Sequence, residues 1–326
     1  MRTASRFVTM LLGATALAAV SAAALAQGYP TKPVNIVVPW PAGGPSDIAA
    51  RPMAKDLSEA LKQPFIIDNR GGAGGNIGSA LVAKAAPDGY TLLITSSAPI
   101  VINPSLYKDM PFDPAKDLAP ITNLLRVPLI LVVHPSVPAK NLKELIAYLK
   151  AQGGKAQYAS SGNGTPQHLT AELFKATAKL DMVHIPYKGS APAITDLIGG
   201  HVPIMFDSAI AILPHIKAGK VRAIAITGAK RSTILPDVPT FDEAGMKGFE
   251  SYAWYGFFAP AKTPKEVVDK LNAEALKVMK GADWQRVLAD TGSENVGTTP
   301  EQFAAFTRAE ATKWAKVVKE SGATID

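Results

Sequence analysis

The stretch that decides the fold runs Val34-Asn35-Ile36-Val37-Val38-Pro39-Trp40-Pro41-Ala42-Gly43-Gly44-Pro45-Ser46-Asp47. A β-branched run ends in a Pro/Gly loop, and residues 46–61 then carry apolar side chains at helical spacing. A strand, a glycine loop and a helix in that order make the first half of a βαβ unit. The rhythm continues with a strand at 65–67, a loop at 71–78, a helix at 79–86 and a strand at 90–95. A long extended stretch at 121–133 interrupts it. Then it restarts, with helices at 142–150, 167–178 and 191–198 between strands at 157–160, 182–185, 203–206 and 222–227. A second extended stretch, 251–259, is rich in aromatics, and helices at 265–280, 283–290 and 300–320 follow.

This order predicts largely parallel sheets in two α/β domains. Residues 27–126 and 250–326 form the first, residues 127–249 the second, and the two extended stretches cross between them. Ligands of open α/β sheets bind beyond the carboxyl ends of the strands. Two sheets joined by crossing strands therefore predict a cleft that closes by hinge motion.

Length and composition fit this reading. At roughly 100–200 residues per domain, 326 residues make about two domains. Hydrophobic residues at 47% supply a large core, and 26 Gly and 26 Pro fall between periodic segments without a repeat, which excludes collagen-like and disordered chains. Cysteine is missing from the sequence, so disulfides, thiolate metal sites and a Cys nucleophile are excluded. The net charge of +7 is spread over scattered Lys and Arg rather than clustered, which argues against a nucleic-acid partner. It leaves a mild preference for anions.

Residues 1–26 read as a cleaved signal peptide. Arg2 and Arg6 are basic, Val8 to Val20 are apolar, and Ala24-Leu25-Ala26 is a small-x-small cleavage site. The apolar run is shorter than the ~20 residues needed to span a bilayer. A soluble protein of a bacterial periplasm is the expectation.

Catalytic patterns do not emerge. Ser160-Ser161-Gly162-Asn163-Gly164 is not a G-x-S-x-G elbow, His168 has no second His at metalloprotease spacing, and the glycines of 71–78 match no phosphate-loop signature. That tract is read chiefly as a tight turn needing positive φ, with a phosphate nest as the weaker alternative. No catalytic residue, metal ion or cofactor is expected. What remains is a set of strand-to-helix loops rich in small and polar residues. In the first, Gly43 and Gly44 free the backbone for positive φ and close approach, and the helix that follows offers unpaired N–H groups. Trp40 either faces the cleft or packs under the loop, and Asp47 is equally a helix cap or a ligand contact. The others are Thr95-Ser96-Ser97, Ser160 to His168, Pro186-Tyr187-Lys188-Gly189-Ser190 and Phe206-Asp207-Ser208. Thr165 suits a helix cap, Lys188 reads as peripheral, and Tyr187 suits a cleft wall or the core equally.

Together these loops resemble the periplasmic receptors of tripartite tricarboxylate transporters, the Bug receptors. The motifs are PWPAGGPSD at 39–47, DNRGGAGGNIG at 68–78, INPSLY at 102–107, SSGNGTPQHL at 160–169 and HIPYKGSAPAITDLIGGHV at 184–202. PDVPTFDEAG at 236–245, WYGFFAPAKTP at 254–264 and RAEATKWAKVVKESG at 308–322 complete the likeness. It implies the α/β type II periplasmic-binding-protein fold, no catalysis and a small carboxylate held between two domains. Carried onto this chain, the site comprises Trp40, Ala42, Gly43, Gly44, Ser46, Asp47 and Ser97 on one side. Ser161, Asn163, Gly164, Thr165, Tyr187, Gly189 and Asp207 stand on the other. The implied partners are the carboxylate and a membrane permease with a large and a small subunit, the receptor itself being a monomer. Two departures stand out. Gly71 replaces a usual Pro, and Ser97-Ala98-Pro99-Ile100 replaces a more polar stretch, which favours a flat or aromatic carboxylate such as terephthalate over citrate-like acids. The alternatives are a receptor that presents ligand to a sensor, and a hydrolase using His184 and Asp207. Intact-mass measurement of the exported protein is expected to give a chain that starts at Gln27; a full-length chain in the membrane fraction overturns the signal-peptide reading.

Overall fold

In a computed structural model the chain is described over residues 28–321, so the expected signal peptide lies outside the described residues. The opening strand, β1 (Val34–Val38), is buried at every position but Asn35. Strands β2 (Phe65–Asn69) and β3 (Thr91–Ser96) flank it in parallel, with Val34 opposite Phe65 and Asn35 opposite Thr91. Helix α1 (Pro45–Leu61) connects β1 to β2. Pro45 suits its first turn, where no intrahelical partner for an N–H exists. Ala49, Ala50, Met53, Ala54 and Leu57 form its buried stripe. Helix α2 (Asn76–Ala83) begins three residues earlier than the sequence predicts, since positive φ at Gly72, Gly74 and Gly75 completes the turn before it.

Strand β4 (Leu118–Val133) then runs through the whole sheet. Its first part pairs antiparallel with β9 (Tyr252–Pro260), from Leu118 opposite Pro260 to Pro128 opposite Tyr252. Its last five residues pair with β7 (Ile204–Ser208) on one side and β8 (Arg222–Ile226) on the other. Beyond β7 lie β5 (Gln157–Ser160) and β6 (Val183–Pro186), all parallel. The expectation of a largely parallel sheet is therefore met only in the outer triplets β2-β1-β3 and β7-β5-β6. The crossing strands, and a two-residue β10 (Glu294–Asn295) against β4, are antiparallel. Their direction follows from β9 returning past the strand that left.

Helices α3 (Leu142–Ala151), α4 (Pro166–Ala178) and α5 (Ser190–Ile198) match expected elements within a residue. Helix α6 (Ala209–Lys217) has no counterpart in the sequence reading, because Pro214 and the run Ala-Ile-Ala-Ile-Leu hide its period. Helices α7 (Lys265–Val278), α8 (Ala282–Thr291) and α9 (Pro300–Ser321) follow β9. Helix α9 packs on β4 and also on α4, so Leu169 shares one buried cluster with Trp254, Phe303 and Trp314. Glu310 on α9 accepts from the indole N–H of both Trp254, at 3.2 Å, and Trp314, at 3.0 Å. Where the crossing strands meet, Leu129 N–H donates to Thr227 Oγ1 at 2.8 Å, the Thr227 hydroxyl donates to Ser251 O, and Ser251 Oγ lies 2.5 Å from Thr170 Oγ1.

Gly256 in β9 sits under the Phe303 ring, which occupies the space a Cβ would need, and such a Cβ would also come within 2.7 Å of the Phe258 ring. Gly256→Ala is expected to cost about 1–3 kcal/mol through overpacking, read as a lowered urea midpoint. Unchanged stability would mean that α9 yields freely there.

Candidate functional site

A cleft of about 690 Å3 opens beyond the carboxyl ends of β1 and β5. Of the fourteen residues expected at the site, eight line it: Trp40, Ala42, Gly43, Gly44, Ser46, Ser161, Thr165 and Gly189. Asp47, Ser97, Asn163, Gly164, Tyr187 and Asp207 do not. Further lining comes from Ser96, Gln167, Lys188, Ser190 and Tyr255, and from an apolar group on α5 and α6.

The 42–46 loop is held from behind by Asp47. Its buried carboxylate accepts from Gly43 N–H at 2.8 Å, Asn69 Nδ2 at 3.1 Å, and Arg51 Nε at 2.7 Å and Nη2 at 3.0 Å. Burial opposes ionisation, but these donors outweigh it and hold the carboxyl below its usual range. Asp47 therefore positions the loop. Gly43 has φ of +80°, whereas Gly44, expected to share that freedom, has φ of −76° and starts α1 as its N-cap. A glycine cap has no side chain to accept from the first turn, and no side chain caps α1. The same holds across the cleft at α5, whose N-cap is Gly189. Two helix N-termini thus bring uncapped N–H groups and positive dipole ends to one cleft.

Helix α4 differs. Thr165 Oγ1 donates to Gly162 O at 2.7 Å and accepts from His168 N–H at 3.4 Å, so this hydroxyl closes its own loop. Gly164 N–H is likewise taken by His168 Nδ1 at 3.2 Å. Tyr187 turns its hydroxyl onto Asp196 at 2.6 Å. Ser97, expected in the cleft, is buried and donates its backbone N–H to Trp254 O, while Ser96 takes the lining place. Asp207 is fully buried behind the wall, where its Oδ1 accepts from Gln167 Nε2 and Ser190 Oγ, each at 3.1 Å, and from Ser208 N–H at 2.8 Å. Burial pushes its carboxyl up to about 6 against those donors. Both side chains it orients line the cleft. The glycine tract at 72–75 makes its positive-φ turn, and Trp40 lies against Gly75.

Beneath the 160–165 loop, His168 and His184 stack with centroids 3.9 Å apart and planes 7° from parallel, and Tyr158 stacks on His184 at 4.8 Å. His184 Nε2 lies 2.6 Å from Ser160 Oγ. Desolvation first, then His184 and Lys175, lower His168 to about 3, and desolvation with Lys175 lowers His184 to about 4. His184 and Asp207, the pair expected for a hydrolase, are bonded to different partners, and Ser160 is fully buried. Among the described residues no cluster of metal-ligating side chains occurs.

A mixed α/β sheet with a cleft walled by two glycine-capped helix ends is the architecture of a solute-binding receptor. The chain belongs to the tripartite tricarboxylate transporter receptor family: the model for "Tripartite tricarboxylate transporter family receptor" matches residues 49–323. Protein BugT of Bordetella pertussis is 39% identical over 311 residues, covering 95% of each chain. R. palustris Rpa4515, solved with adipate, is 38% identical with a TM-score of 0.84, covering 91% of this chain and 100% of its own. MatC from Rhodopseudomonas palustris, solved with bound malate, is 33% identical with a TM-score of 0.81, covering 89% and 100%. The fold is the type II periplasmic-binding-protein fold, and the family is one of receptors, not enzymes.

The two histidines have folded-state values below their ordinary 6.5, so the stability from keeping them neutral is complete above about 6.5 and lost as pH falls toward 4. Asp207, raised, acts oppositely, losing its contribution as pH rises through about 6. Two groups against one make acidification destabilising. His168→Gln, which keeps an acceptor for Gly164, is expected to recover about 1–3 kcal/mol at pH 4.5 relative to its effect at pH 7. Parallel urea midpoints at both pH values would contradict this.

Proposed function

We propose that this chain is an exported periplasmic receptor that captures a small carboxylate and delivers it to a tripartite tricarboxylate permease with a large and a small membrane subunit. One observation carries the reading: the N-termini of α1 and α5 open onto the same cleft without a side-chain cap, and no acidic side chain lines it among the described residues. Uncapped N–H groups and helix dipoles suit carboxylate oxygens. The fit of adipate and malate to related receptors supports the same class of cargo. Residues Ala42 to Ser46 and Gly189 to Ser190 supply the grip, Ser161 and Trp40 the walls, and Asp47 and Asp207 hold these from behind.

In this reading, residues 27–126 with 250–326 and residues 127–249 form two lobes that close on the ligand, and β4 and β9 are the crossing strands. The receptor acts as a monomer without a cofactor.

Ala191 is exposed in the first turn of α5 and lines the cleft. Ala191→Asp places a negative charge about 6 Å from a bound carboxylate, a repulsion of about 3 kcal/mol at an effective dielectric near 20. The same charge favours the helix end, so the fold is kept. Calorimetry with the best carboxylate from a thermal-shift screen is expected to show roughly a hundredfold loss for Ala191→Asp and little for Ala191→Asn. Equal binding by both removes the α5 end from the site. Saturating ligand is also expected to shrink the radius of gyration in solution scattering, and an unchanged curve rules out lobe closure.

A further inference from the structure

The cleft is chemically lopsided. Its uncapped main-chain donors sit at the two helix ends, and the one lysine lining it among the described residues, Lys188, adjoins Gly189 at that same end. From there α5 runs along the wall with Ile194 one turn on and Ile198 two turns on, about 6 and 12 Å from Ser190 at 1.5 Å per residue. Ile210 from α6 joins them, and Trp40 and Ile48 contribute from the other half of the sheet. His215 is the one titratable side chain lining this far part among the described residues. At the donor end, Ser96 is 6% exposed, lines the cleft, and its Oγ has no hydrogen-bond partner among the described residues.

Charge and surface select among carboxylates. A trianion in this cleft would place two further carboxylates where Lys188 is the sole fixed cation among the described residues, and each uncompensated buried charge costs several kcal/mol. A second carboxylate at the far end of a dianion would lie against Ile198 and Ile210, losing its water with His215 as its one side-chain donor among the described residues, since the Thr195 hydroxyl already donates to Ala191 O. An apolar body there instead releases water from isoleucine and tryptophan surface, worth about 25 cal/mol per Å2 buried. We infer that the cargo is an amphipathic monocarboxylate, its single anionic head at the ends of α1 and α5 and a ring-sized apolar body against Ile194, Ile198 and Trp40. This deepens the carboxylate-receptor reading and rests on it.

The test is calorimetry on the mature protein with cyclohexanecarboxylate, benzoate, adipate and citrate at constant pH and salt. The ring acids are expected to bind at least tenfold more tightly than adipate or citrate. Ile198 is half-buried on the cleft face. Ile198→Asp is expected to weaken cyclohexanecarboxylate at least tenfold and Ile198→Ala a few-fold, with both variants melting cooperatively without ligand. Adipate or citrate binding as tightly as the ring acids overturns this inference and leaves the carboxylate receptor standing. So does ring-acid affinity unaffected by Ile198→Ala. Binding of none of the four acids overturns the receptor reading and this inference together.

Discussion

Everything in this molecule hangs on the antiparallel pairing of β4 with β9. A strand in a sheet needs partners for its N–H and C=O groups along its full length. Over residues 118–128 β4 meets that need with β9, and over 129–133 it turns to β7 and β8. One uninterrupted backbone thus belongs to both halves of the sheet. The buried hydroxyls of Thr170, Thr227 and Ser251 tie the changeover point to α4 and to the start of β9. A helix from the chain's last part, α9, spans the same region through Phe303 and Trp314. The cleft is placed by these contacts, because they fix where the ends of β1 and β5 face each other.

Much of the architecture was legible because its signals are local. β-branched runs ended by Pro and Gly mark β1 and β4, and the apolar period of residues 46–61 marks α1 within one residue. The sheet's mixed direction was not legible, since pairing between residues 118–128 and 252–260 is a long-range fact with no local signature. Helix α6 was hidden by Pro214 and an alternating-looking apolar run. The start of α2 was misplaced because four consecutive positive-φ residues, Gly72, Ala73, Gly74 and Gly75, decide it.

The site was legible as a set of loops and less so as a set of atoms. Sequence offers side chains, and it drew attention to the hydroxyl of Thr165 and the phenol of Tyr187. Both are occupied within the protein, one by Gly162 and one by Asp196. Which helix end keeps its amides unpaired depends on rotamers and loop closure. Thr165 caps α4, whereas Gly44 and Gly189 leave α1 and α5 open. The glycines were the readable signal, since a cap without a side chain cannot close its own helix. The apolar face of α5 follows from Ile194 and Ile198 recurring at four-residue spacing, but which neighbour that face meets is not written locally.

The glycine caps bear on how such a protein diversifies. Main-chain amides are common to every residue type but proline, so point substitution away from Gly44 and Gly189 scarcely alters the donors that these two glycines leave open. The side chains along α5 and α6 carry no such protection and are replaceable one at a time. Head-group affinity and body preference are therefore written in separate alphabets, one in backbone and one in side chains. A lineage can rewrite the second without erasing the first, and an engineer can do the same.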